Sequence, residues 1–209
     1  MITKHLGSVA LKDVQVGDQV LTQNGKFESV VLFSRHWNAV ASWARDDTAV
    51  QVEYFHFSTA FLNGTKGPEF SMSSGHLLPV FKTITCSESL MAPASSLIAE
   101  RDFVVGASGD CLKVTGSHVQ RGVGAFSPLT KSTFIVVDGI VASCLTEESI
   151  DPRVAKVLLR VMDLVQRAVP KGFYETLVDV LDYLLAVKVH HGFLALCMAF
   201  LAKQFVSLR

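Results

Sequence analysis

Ser73-Ser74-Gly75-His76 runs directly into the apolar stretch Leu77-Leu78-Pro79-Val80. A hydroxyl three residues ahead of a histidine, at the entry to a strand, can present both side chains at one point. The imidazole of His76 can protonate a departing amide nitrogen, and the Ser73 hydroxyl can orient a scissile peptide or hold the ring. Taken alone the pairing is weak, because an isolated histidine more often serves structure. A second feature is Thr133-Phe134-Ile135-Val136-Val137-Asp138-Gly139-Ile140-Val141-Ala142-Ser143-Cys144. It reads as a strand, a tight turn and a second strand ending in a cysteine. It reads equally as a buried hairpin that carries a small buried thiol. The third is Lys12-Asp13-Val14-Gln15-Val16-Gly17-Asp18-Gln19-Val20-Leu21, in which a Gly-Asp turn launches a strand.

The elements that must position these residues fall into two textures. From residue 1 to about 146 the chain alternates short β-like runs with turn signals. The runs are 19–22, 29–33, 50–58, 77–81, 103–105, 111–114 and 133–137, and the punctuation includes Gly17-Asp18, Asn63-Gly64, Gly67-Pro68 and Gly109-Asp110. Such spacing predicts an all-β fold. Asn24-Gly25 and Asp138-Gly139, each between apolar runs, predict two-residue hairpins. From Ser149 the texture turns helical. Asp151-Pro152 is a helix start, and Val154, Val157, Leu158, Val161, Leu164, Val165 and Ala168 recur at helical spacing. Pro170-Lys171-Gly172 breaks that helix, and two more apolar helices are expected over 174–189 and 193–206. Neither reaches the roughly 20 residues a spanning helix needs. They are read as membrane-surface, lipid-contacting or partner-packing helices, or as core folded back on the β part. The expected division is a β domain over 1–148 and a helical, apolar tail over 149–209.

Composition narrows the class. Lys+Arg and Asp+Glu are both 19, so no global field recruits nucleic acid or an anionic membrane. The 49% hydrophobic content excludes a disordered chain. None of Cys86, Cys111, Cys144 and Cys197 lies in a CxxC pair, so neither a zinc site nor a disulfide framework is expected, and Cys86 and Cys111 are read as ordinary thiols. No metal or cofactor is expected; His190 and His191 are adjacent and point to different helix faces. No secretory signal opens the chain. Asn63-Gly64-Thr65 is a glycosylation sequon, a triplet that often arises by chance. His56 lies in a β run, and Trp37 and Trp43 flank a polar insertion over 38–47 that reads as a loop.

Taken together and in order, the three features resemble the Hint (hedgehog/intein) family, and most closely the hedgehog C-terminal autoprocessing domain. KDVQVGDQVL resembles the early Hint motif, SMSSGHLLPV the block that carries Thr-x-x-His before Leu-Leu, and SPLTKSTFIVVDGIVASC the block ending in Ala-Ser-Cys. The resemblance spans residues 11 to about 146. It implies a mainly β, pseudo-symmetric horseshoe followed by a helical tail. It also implies self-cleavage: a cysteine at the domain's first residue attacks the preceding carbonyl, an N-to-S acyl shift gives a thioester, and a sterol or other nucleophile takes the acyl group. Under the same resemblance His76 protonates the leaving nitrogen, Ser73 stands where threonine is usual, and Cys144 assists thiol chemistry. The position that activates a sterol hydroxyl falls near Ser34-Arg35-His36; no aspartate is there, and His36 is the candidate base. The nucleophile itself is expected upstream of Met1, together with the first strand of the fold. The implied partners are the chain's own upstream segment, a sterol or other lipid, and a membrane surface met through 174–206. A hedgehog-like precursor would be secreted or extracellular. Two alternatives stay open: a catalytically inactive Hint scaffold that binds partners or membrane, and an unrelated β-domain hydrolase using His76 with Ser73.

Overall fold

A computed structural model describes residues 1–5, 7–33, 51–123, 126–146, 152–170, 172–174 and 176–177. His36, the insertion at 38–47 and the expected helical stretches beyond 177 lie outside the described residues. The chain opens with β1 (Ile2–Thr3) and β2 (Gly7–Ser8), an antiparallel pair. The Gly17-Asp18 turn delivers β3 (Gln19–Leu21), which returns as β4 (Phe27–Ser29). The four form one sheet in the order β2-β1-β3-β4. Next come β5 (Leu32–Phe33), β6 (Gln51–Phe61), β7 (Phe70–Ser73), β8 (Leu77–Phe81), β9 (Ser89–Pro93), β10 (Phe103–Val105) and β11 (Cys111–Val123). All but β5 build a six-stranded sheet in the order β7-β6-β11-β10-β8-β9. β12 (Pro128–Leu129) pairs with β5, and β13 (Phe134–Val137) pairs with β14 (Ile140–Ser143). Helix α1 (Pro152–Ala168) closes the described fold.

Local chemistry explains most of these elements. Val137 faces Ile140 across a true two-residue turn, with Asp138 at φ 49° and Gly139 at φ 80°. Both lie in the left-handed region, as a type I′ hairpin demands and as Asp-Gly allows. Asn24-Gly25 behaves differently. Leu21 faces Phe27, so the loop comprises residues 22–26, and Thr22 closes it by donating its backbone N–H (2.7 Å) and its hydroxyl (2.9 Å) to the Lys26 carbonyl. The single strand expected over 29–33 divides. Val30 N donates to Asp18 O in one sheet and Val31 N to Leu129 O toward another, each at 2.8 Å, and both side chains are buried at this corner. β11 runs far beyond the expected 111–114, because β6 templates its polar second half residue by residue down to Val123 opposite Gln51, past an irregularity between Val114 and Gly116.

One core joins these sheets to α1. Val20, Val30, Leu78, Val80, Val104, Ile140 and Ala142 pack in the same cluster as Ala155, Leu159, Met162 and Val165 of the helix. That stripe corrects the expected helix face. Val154, Val157 and Leu164 are 55%, 63% and 64% exposed, while Leu158 and Val161 sit at the margin of the core. The helix carries apolar residues on two sides, so periodicity alone could not say which side the sheets would cover. No helix among the described residues is long and apolar enough to cross a membrane. Tyr174, at the head of the stretch read as lipid-contacting, is instead buried among β-sheet residues; its hydroxyl donates to the Val31 carbonyl at 2.6 Å, and Leu177 packs against the same core.

Cys86 and Cys111, read from sequence as separate thiols, form a disulfide with their Cα atoms 6.0 Å apart. The 25-residue separation has no diagnostic spacing; the return of the chain through β9 and β10 brings the two together. Closing a loop of this length stabilises the fold by roughly 3 kcal/mol in the chain-entropy account. Dithiothreitol is therefore expected to lower the urea midpoint of the oxidised chain by a corresponding amount. Tyr174→Phe strands the Val31 carbonyl and is expected to cost about 1–3 kcal/mol in the same measurement. An unchanged midpoint would show that Tyr174 is not docked in solution.

Candidate active site

The turn between β7 and β8 is closed by the His76 N–H donating to the Ser73 carbonyl at 3.0 Å. The half-buried His76 ring then meets the end of β14, with Nε2 2.7 Å from the Ser143 carbonyl oxygen. A carbonyl only accepts, so Nε2 bears the proton in this contact. The two motif blocks are further stitched by Leu77 N donating to Leu145 O at 3.0 Å and by an antiparallel bridge between His76 and Thr146. The ring is thus held by the Ser143 carbonyl, while Ser73 contributes its backbone carbonyl to the turn.

The peptide unit joining Ser143 to Cys144 is clamped at both ends. His76 holds its oxygen, and its N–H donates to the Thr133 carbonyl at 2.8 Å. The Cys144 carbonyl accepts from the Ser127 hydroxyl at 3.1 Å, and the Cys144 Sγ lies 3.7 Å from the Thr130 hydroxyl. The structure therefore brings His76 beside the Cys144 backbone yet seals the thiol away. Burial pushes the Cys144 thiol from an ordinary 9.0 up to about 12; hydrogen bonds from Thr130 oppose the rise and the Glu28 carboxylate adds to it. A thiol so placed carries almost no thiolate at neutral pH and is no nucleophile. His36 lies outside the described residues.

The hydroxyls that frame this site were not singled out from sequence. Thr130 is fully buried and donates to the Phe134 carbonyl at 3.0 Å. Thr133 sits at φ 67°, a costly conformation for a β-branched residue, and so aims its carbonyl at both the Cys144 N–H and the Ser143 hydroxyl. The signal in sequence is the run Ser127, Thr130, Ser132, Thr133 just ahead of a strand, since short hydroxyl side chains compete for local backbone groups. Among the described residues no group of three or more His, Cys, Asp or Glu side chains is arranged to hold a metal.

The family model described as "Hint module" matches residues 2–175, and the chain belongs to that family. The match continues through α1, beyond the motif blocks. The fold is accordingly mainly β and of the Hint type. Among solved structures the chain is similar to the gp41-1 intein (14% identity, 68% of this chain and 91% of that chain covered, TM-score 0.42). It is similar also to a bacterial intein-like domain from Clostridium thermocellum (13%, 68% and 93% covered, TM-score 0.46) and to the MchDnaB-1 intein (14%, 68% and 94%, TM-score 0.44). No curated protein matches the chain.

Two outcomes follow. Cys144 should resist iodoacetamide in the folded chain at neutral pH and react at once in urea, as read by mass; rapid native labelling would contradict the burial. Because the folded thiol titrates near 12 rather than 9.0, its contribution to stability is intact below pH 9 and lost as pH rises toward 12. Alkaline unfolding over that window should appear in far-ultraviolet circular dichroism. Separately, Thr133→Gly relieves the left-handed strain and is expected to raise stability by about 1 kcal/mol in urea.

Proposed function

We propose that the chain is the scaffold of a self-processing precursor of the hedgehog type, acting on a peptide bond carried by an upstream segment. The observation that carries this reading is the 2.7 Å contact from His76 Nε2 to the Ser143 carbonyl, which joins two motif blocks 67 residues apart. In this reading the His76 imidazolium delivers a proton to the departing amide nitrogen, and the Ser143 carbonyl that accepts from the ring stabilises that charge. The attacking thiol comes from the upstream segment. Cys86 and Cys111 are consumed in a disulfide and Cys144 is buried and protonated, so none of the three supplies it; Cys197 lies outside the described residues. Thiol attack on the preceding carbonyl and departure of the amine give a thioester, which a sterol hydroxyl or another nucleophile then opens. His36 is the base assigned to the acceptor hydroxyl, and the part of the apolar stretch 174–206 beyond Leu177 is the assigned contact with sterol or a membrane surface.

The test has two arms. The 209-residue chain alone, incubated with dithiothreitol, is expected to remain intact. The chain extended upstream by a reporter ending in Gly-Cys, followed by a short linking segment, is expected to release the reporter under thiol, with His76→Ala slowing release about 100-fold or more, the usual worth of a positioned general acid. Addition of sterol, compared with thiol and with water, identifies the acceptor, and His36→Ala should depress the sterol arm alone. An extended chain that never cleaves would favour the second reading, a Hint scaffold that only binds, which the sealed Cys144 thiol supports.

A further inference from the structure

The sequon Asn63-Gly64-Thr65 plays no part in the site above. It forms the tip between β6 and β7, where residues 62–66 are all exposed. The tip is a defined turn: Phe61 N donates to Thr65 O and Gly64 N to Phe61 O, each at 2.9 Å. Gly64, at φ 85°, has open space where a side chain would stand. Within the turn the Thr65 hydroxyl donates to Asn63 Oδ1 at 2.7 Å, and the Thr65 backbone N–H donates to the same oxygen at 3.0 Å. Two donors on the amide oxygen leave the amide nitrogen with no hydrogen bond among the described residues. A sequon is thus displayed at an exposed tip, with its threonine engaged on its own asparagine. An independent feature points to a fitting compartment. The half-buried Cys86–Cys111 pair is oxidised, and such bonds persist outside the reducing cytosol.

We infer that Asn63 is an N-glycan acceptor and that this chain matures in the oxidising secretory route. In the transfer, the Asn63 amide nitrogen bonds to the anomeric carbon of an oligosaccharide carried on a lipid pyrophosphate. The carbon–oxygen bond to phosphate breaks, the lipid pyrophosphate leaves with the electron pair, and the amide loses one proton. The glycan lies on the tip beyond Thr59 and Pro68, where it disturbs none of the His76 contacts. The inference does not depend on the self-processing reading.

Peptide mapping of the full chain recovered from the cells that make it tests this directly. The tryptic peptide 46–66 should appear only after peptide N-glycosidase treatment, with Asn63 converted to aspartate, and peptides 83–101 and 102–113 should travel together without reductant. An unmodified 46–66 peptide overturns the inference. Translation into microsomes behind a cleavable leader reports the modification before folding, so a poorly folding variant does not confound it. The chain itself and Thr65→Ser should shift in mobility, whereas Asn63→Gln and Thr65→Ala should not; a shift that survives Asn63→Gln, or an unshifted parent chain, overturns it.

Discussion

The meeting of the β7–β8 turn with the end of β14 is the constraint on which the rest of the molecule depends. His76 Nε2 on the Ser143 carbonyl, together with Leu77 N on the Leu145 carbonyl, ties two segments distant in sequence. The groups involved sit among buried apolar side chains, where an unpaired carbonyl or ring N–H is costly. Each contact is therefore obligatory once the surrounding core forms. The same junction fixes the orientation of the histidine ring.

Two braces keep that junction in place. On one side α1 lays Ala155, Leu159, Met162 and Val165 into the core, and Gln166 reaches across to donate to the Val30 carbonyl at 3.1 Å. Tyr174 pins the next segment to Val31, so the sheet corner at Val30-Val31 is held from both backbone carbonyls. Asp163 is anchored by Arg167 at 3.0 Å, with Lys131 at 3.9 Å, which permits a carboxylate at the edge of the core. On the other side Asp102, 1% exposed, takes Lys82 at 2.6 Å and the Ile98 N–H at 2.8 Å, tying β8 to the approach to β10. A buried carboxylate of this kind is tolerated only because both oxygens are paired.

The cysteines divide into different chemical fates by environment alone. Cys86 and Cys111, partly exposed and close in space, are oxidised; Cys144, enclosed by Thr130 and the core, is held as a thiol. Nucleophilic work by any of the three would require opening the fold or reducing it. What the described residues hold in place is the peptide unit between Ser143 and Cys144, with the His76 ring against its oxygen.

The all-β character, the Asp138-Gly139 hairpin, the Gly17-Asp18 turn and the start of α1 were legible in the sequence, because each follows from local propensity: left-handed glycine, alternating side chains, proline in a first helical turn. The three motif blocks were legible as those of a Hint domain, through their spacing and order. Other features were decided by distant partners. Which stripe of α1 is buried, the division of 29–33 between sheets, the length of β11, the burial of Tyr174 and the Cys86–Cys111 bond all arise from strands far apart in the chain. So does the state of Cys144, since desolvation depends on what packs over the thiol and nothing local to Ala-Ser-Cys specifies it. Sequence set the chemical types and their order; packing set which atoms remain open to react.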